Sequence, residues 1–396
     1  MTHELMARCF AMHLRVRIWF TSRLRTSLGV GLLTRIAIVS VALLLLRDTA
    51  VEPDRFLLHG GQPHPVAVVD LFQRWDAYWF LNIAREGYQY HGVQPQIGRV
   101  PFQEHETNVT PFPLYPTLVR LLGHLTGDLS LAGLIIALTC YLLALFVLHP
   151  LAGDPDEARR TLLYLSIYPT AFIYNAPYSE SLYLLLTVLC LSECEAGRWL
   201  TAGLSGLAAA GTRLAGALLS PCVLVGLWRR DWKRPLRPLL AAALVLVGVG
   251  GYFLFLHHVT GDIWAYFTAQ QGWRKGLVWP WTALGQLFAT ARQPMTMIYL
   301  CAVGLFVPLA AASVHAALRK HTLPPEQALY LGLGTLMPLC SSSPLGLPRY
   351  YMVLFPAFVL LARLGRQLAA HLTIVALFGL VHVWVMFQWL TWQHSL

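Results

Sequence analysis

Long apolar runs constrain this chain before any motif does. LAGLIIALTCYLLALFVLH (131–149), LLAAALVLVGVGGYFLFL (239–256) and MIYLCAVGLFVPLAAASV (297–314) are each close to the roughly 20 residues that a bilayer core requires. A chain of 396 residues that is 56% hydrophobic and 12% charged cannot bury so much apolar surface in water-soluble domains. The sequence therefore predicts an all-α polytopic membrane protein, a single integral membrane domain over residues 1–396.

The net charge of +10 fits this reading without a nucleic-acid partner, because basic residues of membrane proteins gather in cytoplasmic loops. Arg8, Arg15, Arg17, Arg23 and Arg25 precede a first span at about 29–47, and Arg229, Arg230, Lys233, Arg234 and Arg237 form a second cluster. Arg159 with Arg160, Arg319 with Lys320, and Arg363 with Arg366 mark further cytoplasmic turns. One arrangement satisfies all of these. It has about eleven spans, an uncleaved first span rather than a signal peptide, an outside C-terminus, and an amphipathic helix at about 112–125 on the outer face. Two outer segments are long, about 48–128 and 258–293, and long connections without repeats are usually functional.

The acids concentrate in the first of these loops, which holds nine of the 19, and none falls clearly in mid-span. That distribution argues against a proton-coupled carrier, whose ionisable groups sit near the bilayer midplane. The seven cysteines form no C-x-x-C pair and read as packing residues, no metal site or cofactor is expected, and a divalent cation stays open. Asn108-Val109-Thr110 matches a glycosylation sequon.

Within the first loop, RWDAYWFLNIAREGY (74–88) places an acid among aromatic residues. A helix over 70–85 would put Phe72, Trp79, Phe80 and Ile83 within about 60° of Asp76, with Arg74 and Arg85 opposite. Three roles remain open at this point: a solvated surface acid, a cap on a neighbouring helix, and an acid held in the apolar wall of an outer cavity as a general base.

That stretch belongs to an ordered set. With PFPLYP (111–116), YPTAFIYNAPYSESLY (168–183), AAAGTRLAGALLSP (208–221) and GLPRYYMVLFPAFVLLA (346–362), it resembles the bacterial branch of the PIG-V type of mannosyltransferase, in the GT-C superfamily of membrane glycosyltransferases. The resemblance runs from about residue 70 to 365. It implies a GT-C fold, a polyprenyl-phosphate-linked sugar donor, typically of mannose, and catalysis on the outer face of the bacterial cytoplasmic membrane. It also implies Asp76 as the catalytic base. Eukaryotic members often carry His where this chain has Trp79, and the acids Glu104 and Glu106 align loosely.

The residues support such chemistry independently. An inverting transfer needs one base for the acceptor hydroxyl, and a phosphate leaving group needs positive charge rather than an acid. Arg213 and Arg349, each bounded by apolar sequence near the outer face, are candidates for the donor phosphate, against a plain role as interfacial arginines. Trp75, Glu86 and Glu104 are candidate substrate contacts in the first loop. Tyr178 and Glu180 follow a helix break at Asn175 and Pro177, where Glu180 could meet sugar hydroxyls, pair with Arg213, or cap the next helix. Glycines 203, 206, 211 and 216 permit close packing of two short spans, either as a cavity dipping into the membrane requires or as plain close packing without a cavity. In the second loop, Arg274 and Lys275 lie among Trp264, Trp273, Trp279 and Trp281, a membrane belt that could also hold an anionic headgroup. The sequence thus points to a hexosyltransferase with a lipid-linked donor and a lipid or glycan acceptor. A carrier or flippase for lipid-linked sugars is the alternative, and a scaffold subunit of an envelope complex a third.

Overall fold

The computed structural model describes residues 2–47, 49, 67–93, 107–320 and 322–393. The fold is helical: α1 Thr2–Leu46, α2 Ala67–Leu71, α3 Ala77–Glu86, α4 Leu114–Thr126, α5 Leu129–Leu148, α6 Pro155–Ile167, α7 Glu180–Glu195, α8 Trp199–Ala210, α9 Leu219–Arg230 and α10 Leu236–Thr260. There follow α11 Ala265–Gln270, α12 Pro280–Ala289, α13 Pro294–His315, α14 Pro325–Leu339, α15 Leu347–Tyr351, α16 Phe355–Leu364 and α17 Leu368–Leu390. Among the described residues β-structure is limited to an isolated bridge between Leu277 and Ser341.

Length and composition qualify five of these helices to cross a membrane, α1 from Thr21 onward, α5, α10, α13 and α17, against the roughly eleven spans expected. The helices α6, α7, α8, α9, α14 and α16 have only 10 to 16 residues and pack among the long ones. Proline and glycine end several of them. Pro169 and Pro177 interrupt the chain between α6 and α7, and Gly346, at φ 82°, turns it into α15.

The break between α6 and α7 is held from α1. Arg35, 4% exposed inside the first apolar run, donates to the carbonyls of Ser166 (2.6 Å) and Ala171 (2.6 Å) and to Asn175 Oδ1 (2.9 Å). Two of these acceptors are backbone carbonyls, at the end of α6 and in the segment before α7, and polar groups of this kind need partners inside a membrane protein. The guanidinium also lies 4.5 Å from the Tyr141 ring.

Three short helices connect two polar layers. At one end Arg229 binds Glu326 (2.9 Å) and Arg230 approaches Glu195 (3.9 Å). At the other end lie the start of α7 and the turn before α9. At 1.5 Å per residue, α7 and α14 are only about 24 and 22 Å long, less than the roughly 30 Å hydrocarbon core.

The first loop departs from the expected helix over 70–85. The chain leaves α2 at Leu71 and restarts helix only at Ala77, because Trp75 adopts φ 53°. Arg74 accordingly lies buried, donating to the Asp70 carbonyl (2.6 Å), rather than on a solvent face. The amphipathic helix expected near 112–125 is α4, which buries Tyr115, Pro116 and Val119 and exposes Leu121 and Leu125. Arg120 of α4 caps α3 by donating to the Ala84 carbonyl (2.6 Å). The sequon is corrected: Asn108 is fully buried, bonded to Asn82, Gly87 and the Gln89 amide, so the folded chain offers no glycan acceptor there.

Small residues let the short helices close up. A Cβ on Gly203 would stand 2.8 Å from Ala241 Cα, and one on Gly216 would stand 2.4 Å from both Ala210 Cα and its amide nitrogen. Gly216→Ala therefore meets backbone that cannot rotate away, at a cost of about 1–3 kcal/mol. Its thermal unfolding midpoint in detergent should fall, whereas Gly285→Ala, with nothing within 4 Å, should unfold like wild type. Equal midpoints for Gly216→Ala and wild type would contradict this packing.

Candidate active site

Four breaks in helical structure deliver four charged side chains to one place. Asp76 immediately precedes α3, but its side chain makes no cap bond to that helix, so the capping role over α3 is absent. Its position comes from the backbone. The Asp76 amide donates to the Tyr178 hydroxyl (3.0 Å), which itself donates to the Arg74 carbonyl (2.9 Å). Trp75 accepts the left-handed conformation beside it, worth roughly 1–2 kcal/mol of strain. Its indole N–H donates to the Trp389 carbonyl (3.2 Å), and its ring centroid lies 5.0 Å from that of Trp392.

Arg349, on α15, joins the carboxylates. Its Nη1 donates to Asp76 Oδ2 (2.6 Å), and its Nε lies 3.1 Å from Glu180 Oε1. The same Glu180 oxygen accepts from Arg213 Nη1, and Ser179 Oγ stands 3.4 Å from that nitrogen. Asp76, Arg349, Glu180 and Arg213 thus form a chain of alternating charge. Its middle is dry, with Glu180 1% and Arg349 9% exposed, while the Asp76 side chain is 28% exposed. The Tyr178 ring lies 5.3 Å from the Arg349 guanidinium.

Asp76, Arg213 and Arg349 open onto a cavity of about 610 Å³. One part of its wall is polar, with Ser179, Gln270, Lys275 and Tyr350, and the rest is apolar, including Leu214, Leu218, Phe267, Met337 and Leu354. Thr110 and the following PFPLYP residues Pro111 and Phe112 also line the cavity, pinned by Tyr252, whose hydroxyl donates to the Val109 carbonyl (2.7 Å). The Leu114 amide donates to the Gly211 carbonyl (3.0 Å) and so ties this segment to the turn that presents Arg213.

The sequence candidates divide accordingly. Asp76, Arg213, Arg349 and Lys275 line the cavity, and Glu180 and Tyr178 lie directly behind its wall. Trp75 packs against the end of α17 instead. Glu86 is exposed at the far end of α3, about 15 Å along the helix from Asp76, and Arg274 faces out. Glu104 lies outside the described residues. The apolar niche expected for Asp76 is corrected to an ion-paired one, since Arg349 comes from a segment that helical periodicity around Asp76 cannot reveal. Tyr350 and Gln270 are additions that sequence reasoning misses, and Arg35 is another, signalled by a lone arginine inside the first span. Among the described residues no group of three or more His, Cys, Asp or Glu is arranged to hold a metal ion.

A family model described as Mannosyltransferase (PIG-V) matches residues 67–281, more than half of the chain. GPI mannosyltransferase 2 of Cryptococcus neoformans is 29% identical over 205 residues, covering 47% of this chain and 46% of that protein. GPI alpha-1,6-mannosyltransferase 2 of Rattus norvegicus is 30% identical over 182 residues, covering 42% of this chain and 34% of that protein. The match therefore spans less than half the length of these relatives. Among solved structures, the archaeal oligosaccharyltransferase AglB from Archaeoglobus fulgidus, in complex with an inhibitory peptide and a dolichol-phosphate, is similar over 92% of this chain and 56% of its own, with a TM-score of 0.45 and 12% identity.

The order of burial along the charge chain sets the stability of its variants. Glu180→Gln strips Arg213 of its carboxylate and Arg349 of one of two, and uncompensated buried charge costs about 3–5 kcal/mol. Its unfolding midpoint in detergent should drop well below that of Asp76→Asn, which removes the wetter end. Equal midpoints would contradict the dry middle described here.

Proposed function

Because the chain belongs to the mannosyltransferase (PIG-V) family, we propose that it moves mannose from a polyprenyl-phosphate donor to a hydroxyl of an extracytoplasmic lipid or glycan acceptor, with inversion at the anomeric carbon. The observation that carries this reading is the state of Asp76. Oδ2 is taken by Arg349, while the carboxylate opens onto the cavity with Oδ1 unbonded among the described residues. One oriented carboxylate with a free oxygen is what a general base requires.

In this reading the acceptor hydroxyl gives its proton to Asp76 Oδ1 as its oxygen attacks C1 of the sugar. The bond between C1 and the phosphate oxygen breaks, and prenyl phosphate leaves as an anion, so no general acid is needed. Arg349 holds Asp76 at a fixed angle, and Glu180 holds Arg349 in turn. Arg213 and Arg349 keep further N–H groups beyond those given to the carboxylates, and these can meet the donor phosphate.

The surroundings support a lipid-borne donor. The apolar part of the wall reaches Leu277, 93% exposed, and the next residues in the chain include the stacked, exposed rings of Trp279 and Trp281, which suit a membrane interface. The short α7 and α14 keep this end of the bundle close to the hydrocarbon level. The basic layer around Arg229 and Arg230 at the opposite end supports an outward-facing cavity, as positive charge favours the cytoplasmic side.

Purified protein in lipid, given polyprenyl-phosphate mannose and an envelope lipid extract, should release polyprenyl phosphate. Asp76→Asn should lower that rate about 10²- to 10⁴-fold, the worth of general-base catalysis, while leaving donor binding within a few-fold. Undiminished release from Asp76→Asn would remove Asp76 from the mechanism. Transbilayer movement of the donor without release, in both proteins, would favour a carrier.

A further inference from the structure

The charges lining the cavity do not cancel. Asp76, Arg349, Glu180 and Arg213 alternate in sign and sum to zero, and Lys275 adds one cation. Its Nζ donates to the Tyr350 hydroxyl (2.8 Å) and lies 5.3 Å from that ring, and no carboxylate pairs with it among the described residues. A half-buried ammonium facing a largely apolar cavity is costly unless an anion joins it.

The chain is shaped to hold Lys275 there. Arg274 takes φ 54° at the end of a short 3-10 turn, Gln271–Trp273, so Arg274 faces outward while Lys275 lines the cavity. The next residues are clamped to the segment leading into α15. The Val278 amide donates to the Cys340 carbonyl (2.9 Å), the Ser342 amide to the Gly276 carbonyl (2.9 Å), and the Gly276 amide to Ser342 Oγ (2.7 Å). The Tyr350 ring also lies 5.4 Å from the Arg213 guanidinium and 5.9 Å from that of Arg349. Lys275 is therefore prepositioned beside the charge chain rather than waving from a loose loop.

We propose that Lys275, steadied by the Tyr350 hydroxyl, is the subsite that binds the phosphate ester of a prenyl-linked donor and stays with that phosphate as it leaves. This rests on the transferase reading above. Lys275 has two ammonium protons left after Tyr350 takes one, and the Tyr350 hydroxyl proton is itself available to a phosphate oxygen. The arginines contribute hydrogen bonds, but before the transfer their charge is balanced by Glu180 and Asp76, so Lys275 is the surplus cation that meets the incoming donor phosphate. When the C1–O bond breaks, its electron pair passes to the phosphate oxygen and the acceptor proton to Asp76. The extra negative charge therefore appears on the prenyl phosphate, beside Lys275.

The test uses the full chain in neutral phosphatidylcholine nanodiscs, with farnesyl phosphate as the probe and farnesol as its uncharged counterpart. Lys275→Gln should weaken farnesyl phosphate binding about tenfold or more, the worth of one charge-assisted hydrogen bond, and leave farnesol binding unchanged. Lys275→Arg should restore most of the loss, and neither inorganic phosphate nor phosphatidylglycerol should compete at equal concentration. Wild-type affinity in Lys275→Gln would overturn the subsite while leaving the donor reading intact. Equal competition by phosphatidylglycerol or by inorganic phosphate would overturn it in favour of a membrane headgroup or free phosphate. Matching losses of farnesol binding in both variants would make Lys275 a packing residue. No farnesyl phosphate binding by the wild type would remove the donor reading and the subsite together.

Discussion

The structure depends on neutralising charge at a depth where water is scarce. Glu180 carries two guanidiniums on one oxygen, and Arg349 passes that compensation on to Asp76. Removing one member takes a charge partner from each of its neighbours in a dry layer, so the four residues form one electrostatic unit. Each comes from a different place in the sequence, at an interruption of helix: before α3, at the start of α7, between α8 and α9, and on α15. Irregular backbone is tolerated inside a membrane protein where it is buried in protein or lines a cavity, and this site is built from such segments.

Support for the interruptions comes from outside the site. Arg35 on α1 bonds carbonyls at the end of α6 and in the segment before α7, and thereby steadies the stretch that ends in Tyr178, Ser179 and Glu180. Tyr178 then fixes the backbone at Asp76, while the indole of Trp75 holds the strained residue before it. Local strain is retained where surrounding contacts over-determine it, as here. The result is a carboxylate with one oxygen held and the other open, next to cations and an apolar wall.

Much of this was legible from residue types. Hydropathy located the long helices, and the polar residues that interrupt apolar runs, Asp76, Glu180, Arg213 and Arg349, are the ones that meet, because such groups inside a bundle must find one another. Amphipathic periodicity identified α4. The break at Trp75 was hidden, since a bulky non-glycine residue at positive φ carries no local signal and is imposed by tertiary contacts with α17. The burial of Asn108 was equally hidden, because a sequon is a short polar pattern and the three hydrogen bonds of this amide come from a loop closure. Lys275 was visible as a residue but not as a partner of Tyr350, since the two are 75 positions apart and joined through the bridge at Leu277 and Ser341.

Among the described residues Asp76 is the one carboxylate lining the cavity, and the other acid of the charge chain, Glu180, is buried and held by two arginines, an arrangement that supports the proposed direct displacement. The measurement that tests this most directly is the anomeric configuration of the transferred sugar, read by NMR on product made from a synthetic donor of defined configuration. The account predicts inversion relative to the donor. Retention would contradict it, because a double displacement would have to use the open Asp76 carboxylate as nucleophile rather than as base.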